Sequence, residues 1–247
     1  MRIYSSPVMD QLIEECSRTE AELSTRPAPL CDSRTVTTST GNRQGSATRT
    51  RLVKTAERLF AEQGVDAVSV RAVNAAAGVG PASVNYHFGT KDDLLAAVLL
   101  DLGATVRDRI RAHIDELARR SEHPTAGELV HAVTEPYRDL LRRHRTRGMR
   151  WITIVSQMSA HDHPALDATE NDLRAALLVQ VRRTFPGAAP ARLEQRWAVA
   201  LMVFLQALAR AEEWNARPGA TPGPGALTDY FDDQVEFLTG GLVHLMR

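Results

Sequence analysis

Cationic side chains are gathered unevenly along this sequence. Arg43, Arg49, Arg51, Lys54 and Arg58 stand within residues 43–58 against a single acid, Glu57, a local net charge of +4. Such a cluster suits anionic oxygens, above all those of a phosphate chain. Lys54 and Lys91 are the only lysines. Lys91 falls where a helix can begin, so its ammonium would join free backbone N–H groups as an anion anchor. A second basic run, Arg142, Arg143, His144, Arg145, Arg147 and Arg150, complements the C-terminus of a predicted helix, with an acidic ligand or partner as the alternative. His161, Asp162, His163 and Asp167 form the one group with metal-ligand character. They sit where one predicted helix ends and another opens, without HxxxH or HxxE spacing, so turn and capping roles are expected instead. Ser156 and Ser159 have no base motif nearby and the acids are spread over helix faces. No enzyme and no cofactor is expected.

The whole chain constrains the partners further. Its 247 residues carry 30 Lys plus Arg against 30 Asp plus Glu, so a broadly basic surface is excluded and any nucleic-acid contact must be local. The longest nearly apolar run, Ala198 to Ala209, includes Gln206 and is shorter than the roughly 18 residues of a membrane span. Asp10, Glu14 and Glu15 interrupt any export signal near Met1, and Cys16 and Cys31 fit neither a disulfide framework nor a zinc site. A cytoplasmic protein without membrane contact is expected.

The elements that must position these residues are helical. Residues 1–46 hold Ser, Thr, Pro, Gly and Arg without apolar period beyond one short segment, and read as a disordered arm. From Ala47, Leu52, Val53, Ala56, Leu59 and Phe60 mark one face of a helix that stops at Gly64. Ser69 caps a second, short helix ending at Gly78. Gly80 and Pro81 suit the N-cap and first position of a third, which reaches Phe88. Thr90 to Asp93 reads as a capping box for a long helix through Leu94, Leu95, Val98, Leu99 and Leu102. Five more helices are predicted, about Ala126 to Arg143, Met149 to Ala160, Pro164 to Phe185, Pro190 to Asn215 and Leu227 to Met246. Pro136 is expected to kink the first of these, and no segment reads as a strand. Three helices with the sharp turn Ala77-Gly78-Val79 outline a helix-turn-helix, or an ordinary helical hairpin.

The segment AGVGPASVNYHFGTKDDLL, Ala77 to Leu95, closely resembles the signature of the tetracycline-repressor (TetR) family of bacterial transcription regulators, over Thr48 to about Leu99. The resemblance implies an all-α protein: a three-helix DNA-binding domain, residues 47–95, followed by a helical effector-binding and dimerisation domain, residues 96–247. It places Ser83, Tyr86, His87 and Lys91 at DNA, with Ser69 at the backbone and Arg71 able to reach a base. An arginine paired with guanine would contribute about 1–3 kcal/mol of discrimination. Tyr86 could instead staple the third helix to the first. Three positions depart from the family pattern. Asn85 replaces a frequent aromatic and is either an adenine reader or a solvated polar residue. Gly80 replaces Ser or Thr, and Asn74 replaces a small residue, changes expected to alter which sequence is read. Arg49, with Arg43, could enter a minor groove as a flexible arm, with a solvated tail as the alternative.

In the C-terminal half, Phe231, Val235, Leu238, Leu242 and Leu245 form an a/d seam, and Phe204 and Leu208 belong to a broad apolar face. Paired with a symmetry mate these helices would make a four-helix dimer interface, with intrachain packing as the alternative. Tyr137, Trp151, Met158 and Trp197 are candidates to line an apolar effector pocket. The expected function is a homodimeric regulator that represses transcription at a near-palindromic double-stranded operator until a small hydrophobic effector releases it. A helical metal enzyme built on His161 to Asp167, or an interaction module without DNA binding, are the alternatives.

Overall fold

Apolar positions spaced for one face of a helix must end inside it, and in the computed structural model Leu52, Ala56 and Phe60 have no exposed surface at all. The structure describes residues 38–160, 164–216 and 225–246. Their regular structure is entirely helical, and residues 44–247 pack as one unit. The first helix, α1 (Thr38–Gln63), begins upstream of the expected Ala47. A solvated helix start needs no apolar stripe, so periodicity does not register it. Within it the Thr48 and Thr50 hydroxyls donate to the carbonyls of Gln44 and Ser46 one turn back.

The next two helices are short, α2 (Val70–Ala76) and α3 (Ser83–Phe88). Ser69 caps α2 as its position suggests, its Oγ accepting from the Ala72 N–H at 3.1 Å. Gly78 makes the turn between them at φ +61°, a conformation costly for any residue with a Cβ. The start of α3 differs from expectation: its N-cap is Ala82, not Gly80, and no side chain of its own caps it. Asn74 supplies the cap from the preceding helix. Its Oδ1 accepts from the Val84 N–H at 3.1 Å, and its Nδ2 donates to the Pro81 carbonyl at 2.6 Å. Asn74 is 2% exposed. It therefore latches the turn and is no reader of sequence, a correction to its expected role.

Gly89, at φ +86°, turns the chain into α4 (Lys91–Arg119). The Thr90 and Asp93 capping box is present, with Thr90 Oγ1 accepting from the Asp93 N–H at 3.1 Å and Asp93 Oδ2 accepting from the Thr90 N–H at 3.0 Å. A buried stripe from Leu94 through Val98, Leu102, Val106 and Ile110 to Leu117 makes α4 the spine of the molecule. Its far end is held by Arg183, whose guanidinium donates to the carbonyls of Leu117, Arg120 and Glu122 at 3.0, 2.6 and 2.9 Å.

The remaining helices are α5 (Ala126–Arg143), α6 (Arg145–Ala160), α7 (Pro164–Thr184), α8 (Pro190–Ala209), α9 (Ala211–Asn215) and α10 (Ala226–Leu245). In α5 the helix continues through Pro136. Proline has no N–H for the carbonyl one turn back, and His113 on α4 meets that orphan, its Nδ1 donating to the Ala132 oxygen at 3.1 Å. The expected helix over Pro190 to Asn215 is broken at Arg210. At the break the Arg210 N–H turns to the Ala207 carbonyl three residues back, at 3.1 Å, and the Tyr230 hydroxyl donates to the same oxygen at 3.0 Å.

The expected dimer seam is also corrected. Phe204, Leu208, Phe231, Val235, Leu238 and Leu242 are buried within the chain. Phe204 meets Phe231 edge-on at 5.7 Å and Tyr137 at 5.8 Å, while the Arg138 guanidinium lies 4.5 Å over the Phe231 ring. Of the seven residues, only Leu245 is exposed. An a/d stripe identifies a buried face without saying what buries it.

Asn74→Ala is expected to destabilise the protein by about 1–3 kcal/mol, because the buried Val84 N–H and the Pro81 carbonyl both lose their partner. Asn74→Asp, which keeps the acceptor and loses the donor, should be destabilised as well; urea denaturation of both variants measures it.

Candidate nucleic-acid interface and ligand cavity

The helix α3 is too short to bury much of itself. Val84 enters the core, and the residues around it face water: Asn85 and Tyr86 are exposed, Ser83 and His87 half-buried. Ser83, Tyr86 and His87 share one side at i, i+3 and i+4. Tyr86 is 85% exposed and meets only the edge of His87, ring centroids 5.0 Å apart, so it does not staple α3 to α1. Phe88 takes that part, half-buried against the core with the Arg49 guanidinium 4.9 Å over its ring. Arg49 thus stands on a helix against an aromatic face, unlike the flexible arm expected of it. Arg71 is exposed in the first turn of α2 beside its cap, Ser69. Lys91 opens α4, and its Nζ lies 3.4 Å from the Asp66 carbonyl oxygen in the loop between α1 and α2. Hydroxyl, amide, imidazole, guanidinium and ammonium donors therefore stand on neighbouring elements, the set that grips phosphates and base edges.

A cavity of about 450 Å³ lies among α4, α5, α6, α7 and α8. Tyr137, Trp151 and Trp197 form part of its wall, whereas Met158 is buried away from it. Most of the lining is aliphatic, and its charged members are Arg107, Arg174 and Glu194. Trp151 is tightly placed: its Nε1 donates to the Leu99 carbonyl at 2.9 Å, and a Cβ at Gly103 would lie only 2.7 Å from its Cζ2. The small residue on α4 is what lets the α6 indole lie there.

One turn before Trp151 on the same helix, Arg147 reaches across to the first helix. Its Nε and an Nη donate to Glu57 on α1 at 2.9 and 2.5 Å, and the same Nη donates to Asp101 on α4 at 2.5 Å. The Glu57 side chain is 3% exposed. Burial alone would lower the pKa of Arg147, but its hydrogen bonds to Glu57 and Asp101 and their charges outweigh that and raise it above the ordinary arginine value. Sequence reading grouped Arg147 with a solvated basic run. The available signal was Glu57, a carboxylate on the apolar face of α1.

The His161, Asp162, His163 and Asp167 side chains lie outside the described residues, as do Cys16, Cys31 and the segment before Thr38. Ser159 is a half-buried lining residue of the cavity and Ser156 is buried. No described helix is long and apolar enough to cross a membrane.

Arg147→Met should cost about 2–4 kcal/mol, since it leaves a buried carboxylate without its cation. Adding Glu57→Leu should recover most of that loss, because an apolar pair replaces the ion pair; chemical denaturation of the single and double variants checks the sign.

Residues 52–98 match the family described as bacterial regulatory proteins, tetR family, and residues 131–241 match the tetracyclin repressor-like C-terminal domain. The chain is 24% identical over 208 residues to the HTH-type transcriptional regulator TtgR of Pseudomonas putida, covering 79% of this chain and 93% of that protein. It is 36% identical over 122 residues to the HTH-type transcriptional repressor KstR2 of Rhodococcus jostii, covering 46% of this chain and 59% of the relative. Among solved structures, NalD, the secondary repressor of the MexAB-OprM multidrug efflux pump in Pseudomonas aeruginosa, has the same fold, with a TM-score of 0.53 at 19% identity over 81% of this chain and 97% of that one. The two family matches together span more than half of the sequence, and the chain belongs to the TetR family of bacterial transcription regulators.

Proposed function

We propose that this chain is a homodimeric repressor that binds a near-palindromic operator through residues 47–95 and is released by a small, largely apolar effector bound within residues 96–247. One observation carries the reading: α4 serves both places. It begins at Lys91 beside the donors of α3 and, from about two turns further on, lines the cavity with Leu99, Gly103 and Arg107. An effector that shifts α4 therefore shifts the proposed DNA contacts of Ser83, Asn85, Tyr86, His87 and Lys91. Arg147 adds a second link, because α6 holds both the cavity residue Trp151 and the ion pair to Glu57 on α1.

Two-fold pairing would place the two α3 helices in successive major grooves, about 34–36 Å apart. The exposed apolar residues of the last long helices suit that pairing better than the buried seam. Val203 stands outward on α8, and Phe237 is 68% exposed on α10. Gly240, one turn beyond Phe237, would let a partner helix approach closely. Arg49, Ser69 and Arg71 would complete the DNA contacts, the first two at phosphates and Arg71 at a base. Because the coupling between sites is reciprocal, operator DNA must weaken effector binding by the factor by which effector weakens operator binding. The relative KstR2, itself a repressor by name, supports the sign of regulation.

With duplexes selected from random sequence, Lys91→Ala should weaken binding to all sequences alike and lower the salt dependence by about one phosphate contact. Arg71→Ala should instead relax preference at particular base pairs, costing about 1–3 kcal/mol there. Fluorescence anisotropy across a salt series separates the two, and unchanged affinity in both variants would contradict the interface.

A further inference from the structure

The charged groups of the lining are solvent-accessible and loosely paired, the Arg107 and Arg174 side chains being 40% and 59% exposed. Among the described residues Arg107 on α4 reaches its neighbour Asp108, at 3.3 Å, and Arg174 on α7 reaches Glu194 on α8 at 3.4 Å. Both distances exceed the roughly 2.7–2.9 Å of a close charge-assisted pair. The lining thus holds two guanidinium groups against one carboxylate, since Asp108 is not part of it. Glu194 is followed one turn later on α8 by Trp197, which is 3% exposed and forms part of the wall. The Trp197 Nε1–H finds no acceptor among the described residues. Around an otherwise aliphatic and aromatic chamber, the polar groups of Arg107, Arg174 and Trp197 offer donors against the one carboxylate of Glu194.

We infer that the effector is an apolar organic acid whose carboxylate accepts hydrogen bonds from Arg107 and Arg174 while its hydrocarbon body fills the cavity. The inference rests on the proposed reading of this cavity as the effector site. A cation would meet the excess positive charge of the lining, and a wholly apolar ligand would leave the guanidinium groups no better paired than before. An acid pairs with them where they meet solvent, while its apolar body leaves water for the aliphatic wall. It also brings acceptor oxygens to a chamber whose wall includes Trp197, with its unpaired Nε1–H. The volume of about 450 Å³ equals roughly fifteen water molecules at about 30 Å³ each, enough for a medium-chain or aryl acid. Arg107 lies on α4, so the acid would grip the helix that begins at Lys91.

The test is a tryptophan-fluorescence titration of the full-length protein with matched acid and alcohol pairs, decanoate with decanol and naphthoate with naphthylmethanol. In at least one pair the acid should bind at least about tenfold more tightly than its alcohol. The double variant Arg107→Gln, Arg174→Gln should lose that preference while binding the alcohol as the parent does. Alcohols that bind as tightly as acids, a preference that survives in the double variant, or no binding of either acid would overturn the inference. Release of the protein from its selected operator by the alcohols alone would keep the cavity as the effector site and reject only the acid. Binding of the acids without any effect on operator affinity would instead reject the effector reading itself.

Discussion

A carboxylate with 3% of its side chain exposed, Glu57, is tolerable only because Arg147 meets it from 90 residues further along the chain. Removing such a charge from water costs several kcal/mol unless a well-placed partner compensates, so the first helix cannot pack as it does without α6 in place. The same guanidinium holds Asp101, which ties α4 into the pair. Three helices meet at one cation, and a fourth contact completes the junction one turn away, where Trp151 lies against Gly103 and donates to the Leu99 carbonyl. Local caps and apolar stripes build each helix, but this junction sets how α1, α4 and α6 stand to one another.

On the proposed reading, that arrangement is also the switch. A packed junction of this kind tolerates two discrete arrangements better than a continuous deformation, and an effector moves the balance only by binding one of them more tightly. The cavity wall includes Leu99, Gly103 and Trp151, the very residues that seat α6 on α4. A ligand pressing there acts on Arg147 through one turn of helix and on Lys91 through the length of α4 between them. No separate relay is required, because Leu99, Gly103 and Trp151 belong to both the wall and the junction.

What sequence reading recovered and what it missed divide by distance along the chain. The Ser69 cap, the Thr90 and Asp93 box and the bounds of α5 rest on interactions within a turn or so, which residue spacing encodes directly. The helix-turn-helix outline and the family signature from Ala77 to Leu95 were legible for the same reason. Asn74 was misread because its partners are Pro81 and Val84, across a turn whose geometry the residue itself creates. Arg147 looked like a member of a solvated basic run, since its partners come from other helices. The stripe through Phe231, Val235, Leu238 and Leu242 was rightly read as buried, yet a period of 3.5 residues carries no information about whether a symmetry mate or Phe204 of the same chain covers it. For the cavity, aromatic type sufficed to pick Tyr137, Trp151 and Trp197, while Arg107 and Arg174 required the packing of α4 and α7 to bring them to one chamber.

The junction's role can be tested without knowing the effector. A methyl group at Gly103 would approach Trp151 to 2.7 Å, so Gly103→Ala pushes α6 away from α4 from inside the cavity wall and touches no residue proposed to contact DNA. Operator affinity of the Gly103→Ala protein, measured by fluorescence anisotropy alongside its tryptophan emission and unfolding midpoint, is therefore the most direct measurement. A folded variant with altered tryptophan emission and operator binding weakened by about fivefold or more is the predicted result. A folded variant with the same shift in emission and unchanged operator affinity would show that the α4 and α6 contact does not govern DNA binding.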